Sequence, residues 1–165
     1  MGIVVAGPSG VGKTVVGEAL AARLGAPFVD GDALHPPENI AKMSAGVPLT
    51  DADRWPWLDR VAAAAREGAV VACSALARRY RDRLRAGDPA VRFIVLSADA
   101  AVLEERMRAR THFMPPSLLA SQLALVEPLD ADEPGVALVS DLSPQATAER
   151  ALDALGGTAQ TEPKN

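Results

Sequence analysis

Short apolar runs alternate along the chain with longer stretches in which apolar residues recur every three or four positions. The runs are "GIVVA" (2–6), "PFV" (27–29), "AVVACS" (69–74), "RFIVLS" (92–97) and "GVALVS" (135–140). Most are rich in Val or Ile and lack a clear polar alternation, as expected of strands covered on both faces. "PFV" is the shortest and barely makes a strand. Between the runs lie helical patterns. Residues 12–24 place Val16, Leu20 and Leu24 four apart, with Gly25 as a C-terminal stop. Asp53 is expected to cap a helix with Pro56 inside its first turn, where a missing N–H is harmless. Leu58, Val61, Ala62 and Ala65 form its buried stripe. Further helices are predicted over 76–86, 99–110, 116–127 and 144–155. Strand and helix alternate without repeat or linker. The pattern predicts one α/β domain over residues 1–155, with helices on both faces of a mostly parallel sheet. The remainder, "GGTAQTEPKN" (156–165), has no apolar periodicity and is expected to be a disordered tail.

Composition narrows the class of ligand. Aromatic residues make up 4% of the 165 positions, so the core must be built of Ala, Val and Leu. A net charge of −4, from 17 basic and 21 acidic residues, argues against a nucleic-acid or membrane-surface partner. Any anionic ligand must then be held by a local cluster. The single cysteine, Cys73, excludes an internal disulfide and a Cys-rich zinc site. Without a basic neighbour in sequence it reads as a small buried hydrophobe. No apolar run is long enough to span a membrane. The start of the chain lacks a signal-type region, and Ala6 stands where a myristoylation motif wants Ser or Thr. A cytoplasmic protein is expected.

Directly after the first run comes "GPSGVGKT" (7–14), which matches G-x-x-x-x-G-K-[ST] in full. Gly7, Gly10 and Gly12 let the backbone, with Pro8, Ser9 and Val11, wrap closely around phosphates and point N–H groups inward. The helix that follows adds its positive end. Lys13 can reach the β- and γ-phosphates, and the Thr14 hydroxyl can ligate Mg²⁺, so ATP and Mg²⁺ are expected. Other nucleotide-binding parts are absent. The third run ends "VVACS" without a metal-binding aspartate, and no Asn-Lys-x-Asp guanine signature occurs. A second carboxylate must come from elsewhere, and "DGDALHP" (30–36) supplies two. If the second strand lies near the first, its C-terminal end opens on the same crevice. Asp30 can then hold a Mg²⁺-bound water while Asp32 accepts a proton from a substrate hydroxyl. The competing reading is an Asp-Gly turn with a helix cap ahead of Pro36.

From these residues outward the sequence resembles the small P-loop gluconate kinases, relatives of shikimate kinase. The carrying stretches are "GPSGVGKT", "DGDALHPPENIAKMSAGVPLTDADRWPWL" (30–58), "CSALARRYRDRLR" (73–85) and "HFMPPSLLASQLALVEP" (112–128). The resemblance implies transfer of the γ-phosphoryl group of ATP to the terminal hydroxyl of D-gluconate, giving 6-phosphogluconate. It also implies a five-stranded P-loop kinase fold, a lid at about 111–128 and a homodimer. Two departures stand out: Ala77 holds the place of a usual lysine, with Arg78 adjacent, and "RTHF" (110–113) is one residue short.

A substrate that is both carboxylate and polyol calls for an arginine fork and hydroxyl-seeking groups. Arg54 is the first choice for the carboxylate and Arg81 the second. His35 is expected to hydrogen-bond substrate, and His112 and Gln122, flanking the lid, to reach it. Arg106 and Arg110, four apart on one expected helical face, are the candidates for neutralising charge between phosphates, Arg110 catalytically. Their alternative is a basic helix end favoured by the macrodipole. Trp55 and Trp57 are expected to pack. Two other functions stay open: a shikimate-kinase-like or other small-metabolite kinase, and a non-catalytic nucleotide switch.

Overall fold

The computed structural model of the chain describes residues 1–110, 115, 117–141 and 143–158. Five strands carry the architecture: β1 (Ile3–Ala6), β2 (Phe28–Asp30), β3 (Val70–Ala72), β4 (Arg92–Ser97) and β5 (Gly135–Val139). All pair in parallel, in the order β2-β3-β1-β4-β5. The helices are α1 (Lys13–Leu24), α2 (Pro37–Ser44), α3 (Asp51–Arg66), α4 (Arg78–Gly87), α5 (Ala100–Arg108), α6 (Leu118–Leu123) and α7 (Pro144–Thr158). Among the described residues no helix is long and apolar enough to cross a membrane.

β1 is fully buried at the centre of the sheet, and its residues alternate between two cores. Val4 and Ala6 face a cluster with Trp57, Leu58 and Val61 of α3 and Tyr80 and Leu84 of α4. Ile3 and Val5 face the opposite one, with Val16 and Leu20 of α1, Leu103 of α5, and Ala148 and Ala151 of α7. This two-sided burial is why the runs read as continuous apolar stretches. β5 departs from that reading. It closes one edge of the sheet, and Val139 is 54% exposed.

Several boundaries differ from expectation, for local reasons. α3 begins at Asp51, because Thr50 is its cap: the Thr50 hydroxyl accepts from Asp53 N–H and the Asp53 carboxylate accepts from Thr50 N–H. Asp53 is therefore the third residue of the helix, and Pro56 lies beyond its first turn, inside it. α2 was not predicted: eight residues with a proline at the start carry few apolar positions, of which Met43 is buried. β3 ends at Ala72 because the next residues turn to meet the glycine loop, Ser74 C=O accepting from Gly7 N–H at 3.1 Å. α5 stops at Arg108, and α6 is shorter than the predicted 116–127. α7 runs to Thr158, into the expected tail, of which residues 159–165 lie outside the description.

β2 is not beside β1 but one strand away, with β3 between them. Register still brings their ends together, because Asp30 pairs with Ala72 and Ala72 with Val5. The C-terminal ends of β1, β2 and β3 thus open on one crevice, where parallel α/β sheets place their ligands.

Candidate active site

The loop after β1 is held in a left-handed path at Gly7, Gly10 and Gly12, with φ of 146°, 84° and 100°. A side chain at any of the three would be strained. Four side chains brace the loop from around it. Lys13 Nζ donates to Pro8 C=O at 3.0 Å, and Ser140 Oγ to Val11 C=O at 2.8 Å. Arg106 donates to Gly10 C=O at 3.1 Å, and Ser9 N–H to Gln122 Oε1 of α6 at 2.8 Å. Loss of hydration lowers the Lys13 ammonium pKa, opposed by Asp32 and, more weakly, by Asp30. Thr14 lines the same cleft.

Asp30 ends β2, and its carboxylate accepts from Asp32 N–H at 3.0 Å, opening a single 3-10 turn over Gly31–Leu34. Turn cap and site are the same structure here: the Asp-Gly turn that competed with the functional reading is what aims both carboxylates at the cleft. Gly31 is required for closeness, since a Cβ there would lie 2.3 Å from Ala72 C=O. Trp57 fixes the turn from outside through Nε1–H to Gly31 C=O, 2.8 Å. The ring of Trp57 also stacks on His35, centroids 4.1 Å apart and 15° from parallel. Trp57 therefore packs, as expected, and lines the cleft as well. Burial pushes the His35 pKa down to about 4, against the pull of Asp32, and the ring is neutral near pH 7.

Arg54 lines the cleft with its side chain 14% exposed. One nitrogen, Nη1, donates to Leu49 C=O at 2.6 Å and to Tyr80 Oη at 2.9 Å. Nε and Nη2 have no hydrogen-bond partner among the described residues. Tyr80 is held in turn by Asp51, to which it donates at 2.6 Å, and Trp55 packs edge-on against its ring.

Arg81 is corrected. Its side chain is wholly buried against Glu133, Nε to Oε1 at 2.6 Å and Nη2 to Oε2 at 3.0 Å. Its remaining N–H groups go to the carbonyls of Ala75, Leu76, Glu127 and Pro128. Nothing is left for a ligand. Arg110 is corrected in part: it lies beyond the end of α5, so it does not share a helical face with Arg106, though it lines the cleft. Arg106 and Arg110 together border an adjoining hollow with Gly12, Val15, Ser140 and Pro144. His112 lies outside the described residues. Ala77 is fully buried, and Arg78 turns away to Asp132 and Asp130, at 2.6 and 2.8 Å. The missing lysine has no stand-in at 78.

Sequence reasoning did not single out Asn39, Tyr80, Ser74 or Ser121. The last three line the cleft, and Asn39 is buried behind His35. No motif flags them; all four lie in the stretches that carry the family resemblance, which was their one signal. Cys73 is buried, and its thiol is pushed up to about 12 by that burial, as fits an inert core residue.

A glycine loop between strand and helix, ending in Lys-Thr and opening on a cleft walled by carboxylates and arginine, defines a P-loop kinase. The family model described as an AAA domain matches residues 3–129. The gluconokinase of Gluconobacter oxydans (strain 621H) is 46% identical over 157 residues, covering 91% of this chain and 88% of that protein. The thermosensitive gluconokinase of Escherichia coli (strain K12) is 47% identical over 137 residues, covering 79% and 73%. The crystal structure of a gluconokinase from Sinorhizobium meliloti 1021 superposes with a TM-score of 0.86 at 48% identity, covering 96% and 93%. A shikimate kinase from Aquifex aeolicus shares the fold, with a TM-score of 0.67 at 16% identity over 98% of this chain and 100% of that one. The chain belongs to the gluconokinase family.

Proposed function

We propose that this protein transfers the γ-phosphoryl group of ATP to the terminal hydroxyl of D-gluconate, forming 6-phospho-D-gluconate and ADP. What carries the reading is one cleft, in a chain of this family, that joins the phosphate loop to Asp30, Asp32, His35 and Arg54. The loop from Gly7 to Thr14 and Lys13 hold the β- and γ-phosphates. Asp32 takes the proton of the attacking hydroxyl as its oxygen bonds to the γ-phosphorus; the bond to the β–γ bridging oxygen breaks, and its electron pair leaves with ADP. Arg110 and Arg106 neutralise the charge that builds between the phosphates. Arg54 takes the gluconate carboxylate with the edge that Leu49 and Tyr80 leave open, and His35 and Gln122 bind hydroxyls.

The donor set at Thr14 and Asp30 is all oxygen, which suits a hard cation such as Mg²⁺. Among the described residues no cluster of three or more His, Cys, Asp or Glu could hold a metal. Thr14 and Asp30 would therefore share the ion with the substrate's phosphates and water. When bound, Mg²⁺ offsets negative charge on the β- and γ-phosphate oxygens. We read residues 111–128 as a lid; 111–114 and 116 lie outside the described residues, and the Gln122–Ser9 hydrogen bond supports the reading for the rest. The family resemblance supports a cytoplasmic homodimer, and sedimentation velocity tests the dimer.

ADP release should be fast with ATP, Mg²⁺ and D-gluconate, and low with shikimate or with no acceptor. Lys13→Ala should abolish it while the protein stays folded. ADP release that stays low with every sugar acid would favour the switch reading. Arg54→Ala should cost about 1.5–3 kcal/mol of D-gluconate binding, the worth of hydrogen bonds to a charged group. Calorimetry showing unchanged affinity would place the carboxylate elsewhere.

A further inference from the structure

Asn39 is a polar side chain only 3% exposed, on the inner face of α2. Its amide nitrogen lies 2.9 Å from Asp53 C=O and 3.2 Å from His35 Nδ1. A carbonyl oxygen only accepts, so Asp53 fixes which end of the amide points inward; the reverse would set two oxygens face to face. The amide nitrogen only donates, so His35 Nδ1 must be the bare, accepting nitrogen. In a neutral ring the proton is then on Nε2. Trp57 holds the ring plane by stacking, and its own N–H is tied to Gly31 C=O. His35 lines the cleft with Asp32 and Arg54, and its Nε2 has no partner among the described residues.

We propose that Asn39 is a positioning residue that locks His35 as the Nε2–H tautomer, so that the cleft offers a polyol hydroxyl a donor beside the Asp32 acceptor. A hydroxyl both donates and accepts, and one fixed donor beside one fixed acceptor admits it in a single orientation. The other tautomer would put a second acceptor next to Asp32 and repel the hydroxyl oxygen. The role in substrate recognition rests on the gluconokinase reading; the tautomer itself does not.

The chain has two histidines, so long-range ¹H–¹⁵N spectra of the full-length protein can be assigned with a His112→Gln control. Wild type at pH 7 should show His35 with a protonated Nε2 and a bare Nδ1. Asn39→Leu should give a mixture of tautomers and raise the D-gluconate KM about three- to tenfold, the worth of one neutral hydrogen bond, with the ATP KM unchanged. A wild-type spectrum with the proton on Nδ1 overturns the proposal. So does an Asn39→Leu spectrum that keeps pure Nε2–H. If Asn39→Leu does not fold, the wild-type spectrum still decides the tautomer. Absence of sugar-acid kinase activity would sink the functional reading and leave that spectrum standing.

Discussion

Asp32→Asn is expected to lower kcat by roughly 10²–10⁴, the range for loss of a positioned general base. The KM for ATP should change little. The substitution keeps shape and one accepting oxygen, replaces the other by a donating NH2, and removes the ability to take a proton. The backbone of residue 32 would still donate to Asp30, so the turn that shapes the site should survive. Steady-state kinetics with D-gluconate as the varied substrate test this directly. A fall confined to gluconate affinity would show that Asp32 binds the hydroxyl without taking its proton. Lys13 is a sensitive neighbour: Asp32 is the strongest pull keeping its ammonium pKa up.

Arg81→Ala is expected to destabilise the protein by about 3–5 kcal/mol, because it leaves a buried carboxylate without its partner. Burial alone would raise the Glu133 carboxyl pKa; hydrogen bonds from Arg81 overcome this and hold it below the ordinary range. The variant also strips donors from four carbonyls that join the turn after β3 to residues 127 and 128. Against a typical total of about 5–15 kcal/mol, such a loss is large. Urea unfolding measures it. Arg81→Met combined with Glu133→Leu should recover the part due to the unpaired carboxylate, since it removes both charges and keeps the volume, but not the part due to the four carbonyls. If Arg81→Ala were stable but blind to gluconate, the substrate role assigned to it from sequence would have been right.

These two residues show what a sequence discloses. Asp32 was legible because "DGD" follows an apolar run, and chemistry narrows what two carboxylates at a strand end can do. Arg81 was misread as a carboxylate binder because nothing in "RRYRDR" separates its arginines: Arg78, Arg79 and Arg83 bind exposed aspartates, and only the arginine among them that meets Glu133 turns inward. That partner is 52 residues away, and local spacing carries no trace of it. The strands came through because the buried centre of a parallel sheet writes itself as unbroken Val and Ile. α2 did not, since its buried residues are only Asn39 and Met43, which meet Asp53 and Leu118 from beyond the helix as well as nearby His35 and Leu49. The start of α3 was displaced by one competing rule. Thr50 and Asp53 are both good caps, and the capping box that uses them together outranks Asp53 alone.

The hydrogen bond from Ser9 N–H to Gln122 has a thermodynamic consequence. It makes α6 and the phosphate loop linked sites: whatever ligand competes for that N–H also changes how firmly α6 is held. A phosphate oxygen carries charge where the Gln122 amide oxygen does not, and charge-assisted hydrogen bonds are roughly twice as strong as neutral ones. Linkage is reciprocal, so a grip on α6 that weakens anion binding must itself be weakened by the anion to the same degree. The affinity of the loop for phosphate and the freedom of the helix above it are therefore one coupled quantity, set in part by a single amide.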